Sequence, residues 1–233
     1  MQIQEAVKKE ILKTFSKKRV VCLLYFGTRA FIGANKDSDY DLLLVLDKYD
    51  HTDIFQLRHI IQNQDFKNGD LNFNLLYLSD IKKRGKKNFQ IRSVQSNFYK
   101  YLEYAIVLVG KNIFKSDSLK LNSEELTKIM DFNIQEYYGR CDKLFLSDKD
   151  NEEIHKKVKK HTRDIIRFML IRQNLMTIKQ ITKYSFERIF AIVKSSNLLP
   201  DRVIEQLPIL ITNKNNHTNL EKIEYLRRAV YEK

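Results

Sequence analysis

Two aspartates one residue apart, Asp39 and Asp41, lead into the apolar run Leu42–Leu46. In an extended strand, residues two apart project from the same face. Their Cα atoms would then lie roughly 6–7 Å apart. Two carboxylates at that separation can bracket one or two Mg²⁺ ions, hard cations that take oxygen ligands. Upstream, Gly27, Thr28 and Arg29 follow a second apolar run, Val20–Phe26. A glycine lets the backbone approach a phosphate, a threonine hydroxyl and nearby amides can donate to its oxygens, and the arginine fork matches phosphate geometry. Ten residues separate Thr28 from Asp39, enough to bring the second run back beside the first. The chemistry this set could do is metal and phosphate chemistry.

The elements that must hold these residues are readable from periodicity. Residues 2–17 carry Ile3, Ala6, Val7, Ile11, Leu12 and Phe15 on one helical face. Val20–Phe26 is continuous and β-prone, the pattern of a buried strand, and residues 39–46 form a second strand. Residues 53–64 are expected to be helical, with Ile54, Leu57, Ile60 and Ile61 on one side. A third strand is expected over 70–78, followed by a basic turn at Lys82–Lys87, a helix over 89–102 and a fourth strand over 105–109.

From Ser123, which can cap a helix carrying Glu124 and Glu125 in its first turn, only helices are expected: about 124–147, 151–174, 178–195, 201–212 and 218–231. The polar segment 115–122 divides the chain into an α/β domain, 1–117, and an all-α helical bundle, 118–233.

Composition narrows the function classes. The 233 residues include two prolines, six glycines and two cysteines, which excludes collagen-like chains and disulfide scaffolds and suits a reducing cytoplasm. The longest apolar run has seven residues, against the roughly 20 needed to span a bilayer, so no membrane partner is expected. A net charge of +13 favours anionic ligands such as nucleotides or RNA. The five histidines show no metal-binding spacing, and no P-loop, dinucleotide-binding fingerprint or nucleophile elbow occurs.

The order strand, Gly27-Thr28, ten residues, Asp39-x-Asp41, strand resembles the signature of the DNA-polymerase-β-like nucleotidyltransferase superfamily, with Thr in place of the commoner Ser. The wording GTRA and SDYDLLL is similar to its small bacterial branch, the minimal and aminoglycoside nucleotidyltransferases. The resemblance implies a mixed four- to five-stranded sheet followed by a helical bundle. It also implies Mg²⁺ on Asp39 and Asp41, a nucleoside triphosphate (ATP first) with its phosphates on Gly27, Thr28 and Arg29, and transfer of a nucleoside monophosphate to an acceptor hydroxyl. The segment 165–190 is similar to the branch's pattern of helix, break, lysine, helix, which would put Lys179 on the triphosphate, with Lys183 one turn away.

Active members of that superfamily usually carry a third carboxylate on the next strand. The position expected to be acidic here is Asn74, on the same face as Asn72 and Asp70. Three alternatives follow: Asp70 serves as the third catalytic carboxylate, the acceptor needs little activation, or the protein binds a nucleotide, protein or RNA without turnover. The acceptor classes are a small hydroxylated molecule, a protein or an RNA. Polycationic aminoglycosides fit a chain of +13 poorly.

Overall fold

A computed structural model describes residues 3–27, 29–30, 39–62, 71–96, 101–147, 150–211 and 217–231. The chain forms two compact units, Met1–Leu121 and Asn122–Lys233.

The first unit is built on a four-stranded mixed sheet in the order β3-β2-β1-β4, where β1 is Val20–Phe26, β2 Tyr40–Leu46, β3 Leu71–Tyr77 and β4 Ile106–Gly110. β1 pairs antiparallel with β2 and β4, and β2 pairs parallel with β3. The two central strands are buried on both faces, which is why they read as unbroken apolar runs and not as alternation.

One face is covered by α1 (Ile3–Arg19) and α2 (Asp53–Gln62), whose Val7, Ile11, Phe15, Leu57 and Ile60 meet Leu42, Leu44 and Leu46. The other face carries Phe26, Leu43 and Val45 under Ile81, Leu102 and Phe114. α2 turns only part of its expected stripe inward: Leu57 and Ile60 are buried while Ile54 and Ile61 are exposed. Asp53 is fully buried instead, its carboxylate held by the Arg19 guanidinium at 2.8 and 2.9 Å. That pair ties the end of α1 to the start of α2.

The basic stretch 82–87 is not a turn. It lies across two helices, α3 (Leu78–Arg84) and α4 (Lys86–Ser96), that meet at Gly85. Gly85 adopts φ 82, and its N–H donates to the Ile81 carbonyl at 2.9 Å, closing α3 with the left-handed residue that glycine tolerates. Ile81 is fully buried and anchors α3 to the sheet, so the basic side chains become the exposed faces of two helices. The helix expected over 89–102 correspondingly begins earlier and, among the described residues, runs to Ser96.

The second unit is all helical: α5 (Ser123–Phe145), α6 (Asn151–Arg172), α7 (Ile178–Ile181), α8 (Phe186–Ser195), α9 (Asp201–Ile204) and α10 (His217–Tyr231), with a 3₁₀ turn at Leu207–Leu210. Asn122, not Ser123, caps α5: its side chain accepts from the Glu125 N–H while Glu125 accepts from the Asn122 N–H, a reciprocal capping box. α5 and α6 are antiparallel, with Asp131 paired to Arg172 at one end and Tyr137 against His161 and Phe168 further along.

The single helix expected over 178–195 is two. Thr177 caps α7, and the Ser185 hydroxyl accepts from the Arg188 N–H to start α8 afresh. The helix expected over 201–212 stops at Ile204, because Pro208 has no N–H to continue it. α10 is pinned by Arg227, fully buried and bonded to the Tyr138 carbonyl, Asp142 and Glu224. Among the described residues no helix is long and apolar enough to cross a membrane.

Candidate functional site

Gly27 is the first residue after β1, buried, with φ 85. Its carbonyl accepts from the Ala30 N–H at 3.1 Å, turning the chain off the strand. A Cβ built at Gly27 would collide with the Asp41 carboxylate, lying 2.9 Å from its Cγ. The glycine is therefore required twice, for its backbone conformation and for the space the carboxylate fills.

Asp41 stands in register with Phe26 of β1 and Asn72 of β3. Strand alternation puts its side chain on the face of Phe26, Leu43 and Val45, at the end of the sheet where β1 leaves and β2 enters. The Asn72 amide donates to Asp41 Oδ1 at 2.9 Å. Asp39, just before β2, is exposed, and Asp41 is half-buried.

The structure thus brings Gly27, Asp41 and Asn72 together. The parallel register sets Asn72 beside Asp41, whereas Asn74, the position expected from the resemblance to be acidic, stands two residues on, beside Leu43. Both asparagines share one face of β3, so periodicity alone does not separate them; only the pairing register does. Asn74 instead borders a cavity of about 230 Å³ on this same sheet face, lined also by Phe26, Leu43, Phe89 and Arg92.

Arg29 follows Thr28 after β1 and contacts Tyr40. Its guanidinium sits over the Tyr40 ring, 3.9 Å from the centroid. Tyr40 packs into the layer under α1 and α2, opposite to Asp41, and its ring lies 5.8 Å from that of Tyr25. Burial and then the neighbouring Tyr40 push the Tyr25 phenol above its ordinary value, so it stays protonated at neutral pH. Thr28 and Asp70 lie outside the described residues. Lys179 belongs to the second unit, exposed on α7, where its carbonyl accepts from the Thr182 hydroxyl at 3.1 Å.

Two aspartate carboxylates are a donor set that fits Mg²⁺, which commonly takes one or two carboxylates and completes its shell with water and substrate phosphates. Among the described residues no group of three or more His, Cys, Asp or Glu side chains converges on one point.

No protein-family model matches the sequence, and no curated protein matches it either. Among solved structures, the chain is similar to a spectinomycin adenyltransferase from Enterococcus faecialis, determined with ATP and spectinomycin, with 99% of each chain covered, a TM-score of 0.53 and 15% identical residues. The chain has a nucleotidyltransferase-like fold. The likeness covers residues of both units. At this identity it is a likeness of fold, and the site must be argued from its own residues.

Proposed function

We propose that this protein is a Mg²⁺-dependent nucleotidyltransferase that transfers a nucleoside monophosphate from a nucleoside triphosphate, ATP first, to an acceptor hydroxyl. The observation that carries the reading is the Asp41 carboxylate set against Gly27 at the sheet end, with Asp39 two residues earlier. Asp39 and Asp41 would hold the metal, which supplies charge neutralisation at the phosphates. Gly27 and Thr28 would offer backbone and hydroxyl donors to the β- and γ-phosphates. In the reaction the acceptor oxygen bonds to the α-phosphorus, and the bond from that phosphorus to the β-bridging oxygen breaks. Pyrophosphate leaves with the electron pair, and the hydroxyl proton passes to a base, proposed as Asp70. Arg29 and Lys179 are proposed phosphate contacts on the sequence resemblance, and Lys179→Gln tests the second.

The acceptor proposed first is a small hydroxylated molecule, by analogy with the spectinomycin of the similar structure. The net charge of +13 favours an RNA or a protein over a polycation. Cys22 and Cys141 are both buried and free, which fits a reducing cytoplasm.

Asn72 supports a second reading, a protein that binds nucleotide without turnover. The side chain beside Asp41 is an amide, which carries no negative charge and takes no proton. The test is pyrophosphate release from MgATP and MgGTP with spectinomycin, RNA and protein acceptors. Release that Asp41→Asn abolishes while its unfolding midpoint holds supports the transferase. Nucleotide binding with no release for any acceptor supports the binding protein.

A further inference from the structure

The second unit has a groove of its own between α5 and α6. On α5, Arg140, Lys143 and Leu144 follow the i, i+3, i+4 spacing of one helical face, with Ser147 just beyond the helix end; on α6, Lys157, Lys160 and His161 show the same spacing from the other side. The cavity they line measures about 470 Å³, and the part of its wall on α5 is roughly 6 Å long at 1.5 Å per residue. Four of the seven lining side chains are cations, and none is a carboxylate.

The charges are not all neutralised locally. Arg140 pairs with Glu136 at 3.1 Å and Lys157 with Glu153 at 2.5 Å, each one helical turn away on its own helix. Lys143 and Lys160 are exposed and make no ion pair among the described residues. Among the described residues, no ion-pair partner compensates these two positive charges at the groove. His161 forms part of the wall with its ring edge against Tyr137, and its Nδ1 is buried with no hydrogen-bond partner among the described residues.

We propose that this groove, built from residues of the second unit alone, is a phosphate-binding site that takes the phosphates of a free polyphosphate or of a nucleic-acid backbone. Two lysines supply point charges and Arg140 a planar fork, the combination that suits tetrahedral polyanions better than single carboxylates. Leu144 and Ser147 complete the lining with uncharged side chains.

The experiment uses the full chain in Mg²⁺-free buffer, titrated with inorganic tripolyphosphate and, separately, with a 12-nucleotide single-stranded RNA. Wild type is compared with Lys143→Gln/Lys160→Gln and with Asp39→Asn/Asp41→Asn. The expected result is at least tenfold weaker binding of either probe by the lysine variant, with its thermal midpoint unchanged, and no change in the aspartate variant. With the single-stranded RNA, the slope of log affinity against log salt should shrink by about 1.4 for the two lost contacts. Tight tripolyphosphate binding with weak RNA binding identifies a small-anion site, and the reverse identifies a backbone site. A second readout is made on wild type itself and needs neither lysine substitution: the His161 ring resonance, assigned by its absence from the spectrum of folded His161→Phe, should shift on adding tripolyphosphate. Equal affinity in the lysine variant, or a His161 resonance that does not move at saturation, would overturn the proposal.

Discussion

Asn72 donates a hydrogen bond to Asp41 across the β2–β3 pair, Nδ2 to Oδ1 at 2.9 Å. The bond fixes the Asp41 carboxylate beside Gly27 and leaves no negative charge on β3 next to it. Substituting Asn72→Asp replaces a donor with a second carboxylate. Like charges directly opposite in a sheet are destabilising by roughly 0.2–1 kcal/mol. The variant should be less stable than wild type at pH 7 without metal, and Mn²⁺ should raise its unfolding midpoint more than that of wild type. Equal Mn²⁺ responses would contradict the placement of Asp41 in a metal-binding position.

Gly27→Ala tests the other contact. An L side chain at φ 85 costs about 1–2 kcal/mol, and here the new methyl also displaces the Asp41 carboxylate. The denaturant midpoint should fall accordingly, and Mg²⁺-dependent nucleotide binding should be lost. Retained binding in a destabilised variant would separate the glycine's structural role from the site.

How much of this was legible in the sequence differs by element. The four strands were, because β1 and β2 are buried on both faces and their apolar runs are long and unbroken. The order of β1, Gly27 and the Asp-x-Asp opening of β2 was legible, but the contact of Gly27 with the Asp41 carboxylate was not, because it follows from the β1–β2 register. The role of Asn72 was not: Asn72 and Asn74 have the same strand parity, and a two-residue difference in register leaves the pattern unchanged. The run KKRGKK read as a turn because its charges hide Ile81, the one buried residue that holds α3 on the sheet. The stacking of Arg29 on Tyr40 depends on tertiary packing that no local pattern encodes.

The helical unit should depend heavily on Arg227. It is fully buried and bonds Glu224 twice at 2.6 Å, Asp142 at 2.8 Å and the Tyr138 carbonyl at 3.1 Å. Arg227→Met leaves these acceptors facing an apolar side chain and should cost about 2–4 kcal/mol in chemical denaturation. Arg227→Lys should recover only part of that, because one ammonium cannot reproduce the fork.

Acid stability has a specific source in His161. Burial pulls its imidazole down from 6.5 to about 4; Asp164 opposes this, while Lys160, Arg140 and Lys157 add to it. The unfolded chain therefore takes up a proton at a higher pH than the folded one. Stability is fully present above pH 6.5 and is lost as pH falls toward 4. The loss should be on the order of 2 kcal/mol. His161→Phe keeps the ring against Tyr137 and removes the titration, so its stability should vary less than that of wild type across this window. A wild-type slope in the variant would mean that other groups set the acid limit.

The central claim is that Asp39 and Asp41 form a metal-dependent nucleotide site. Calorimetric titration of ATP into wild type and into Asp39→Asn/Asp41→Asn, each with and without Mg²⁺, tests it most directly. Wild type should show a Mg²⁺-dependent ATP-binding event, over and above any Mg²⁺-free binding at the α5–α6 groove, and the folded double variant should lack that event. A Mg²⁺-dependent event of equal strength in the double variant, or none in wild type, would contradict the claim.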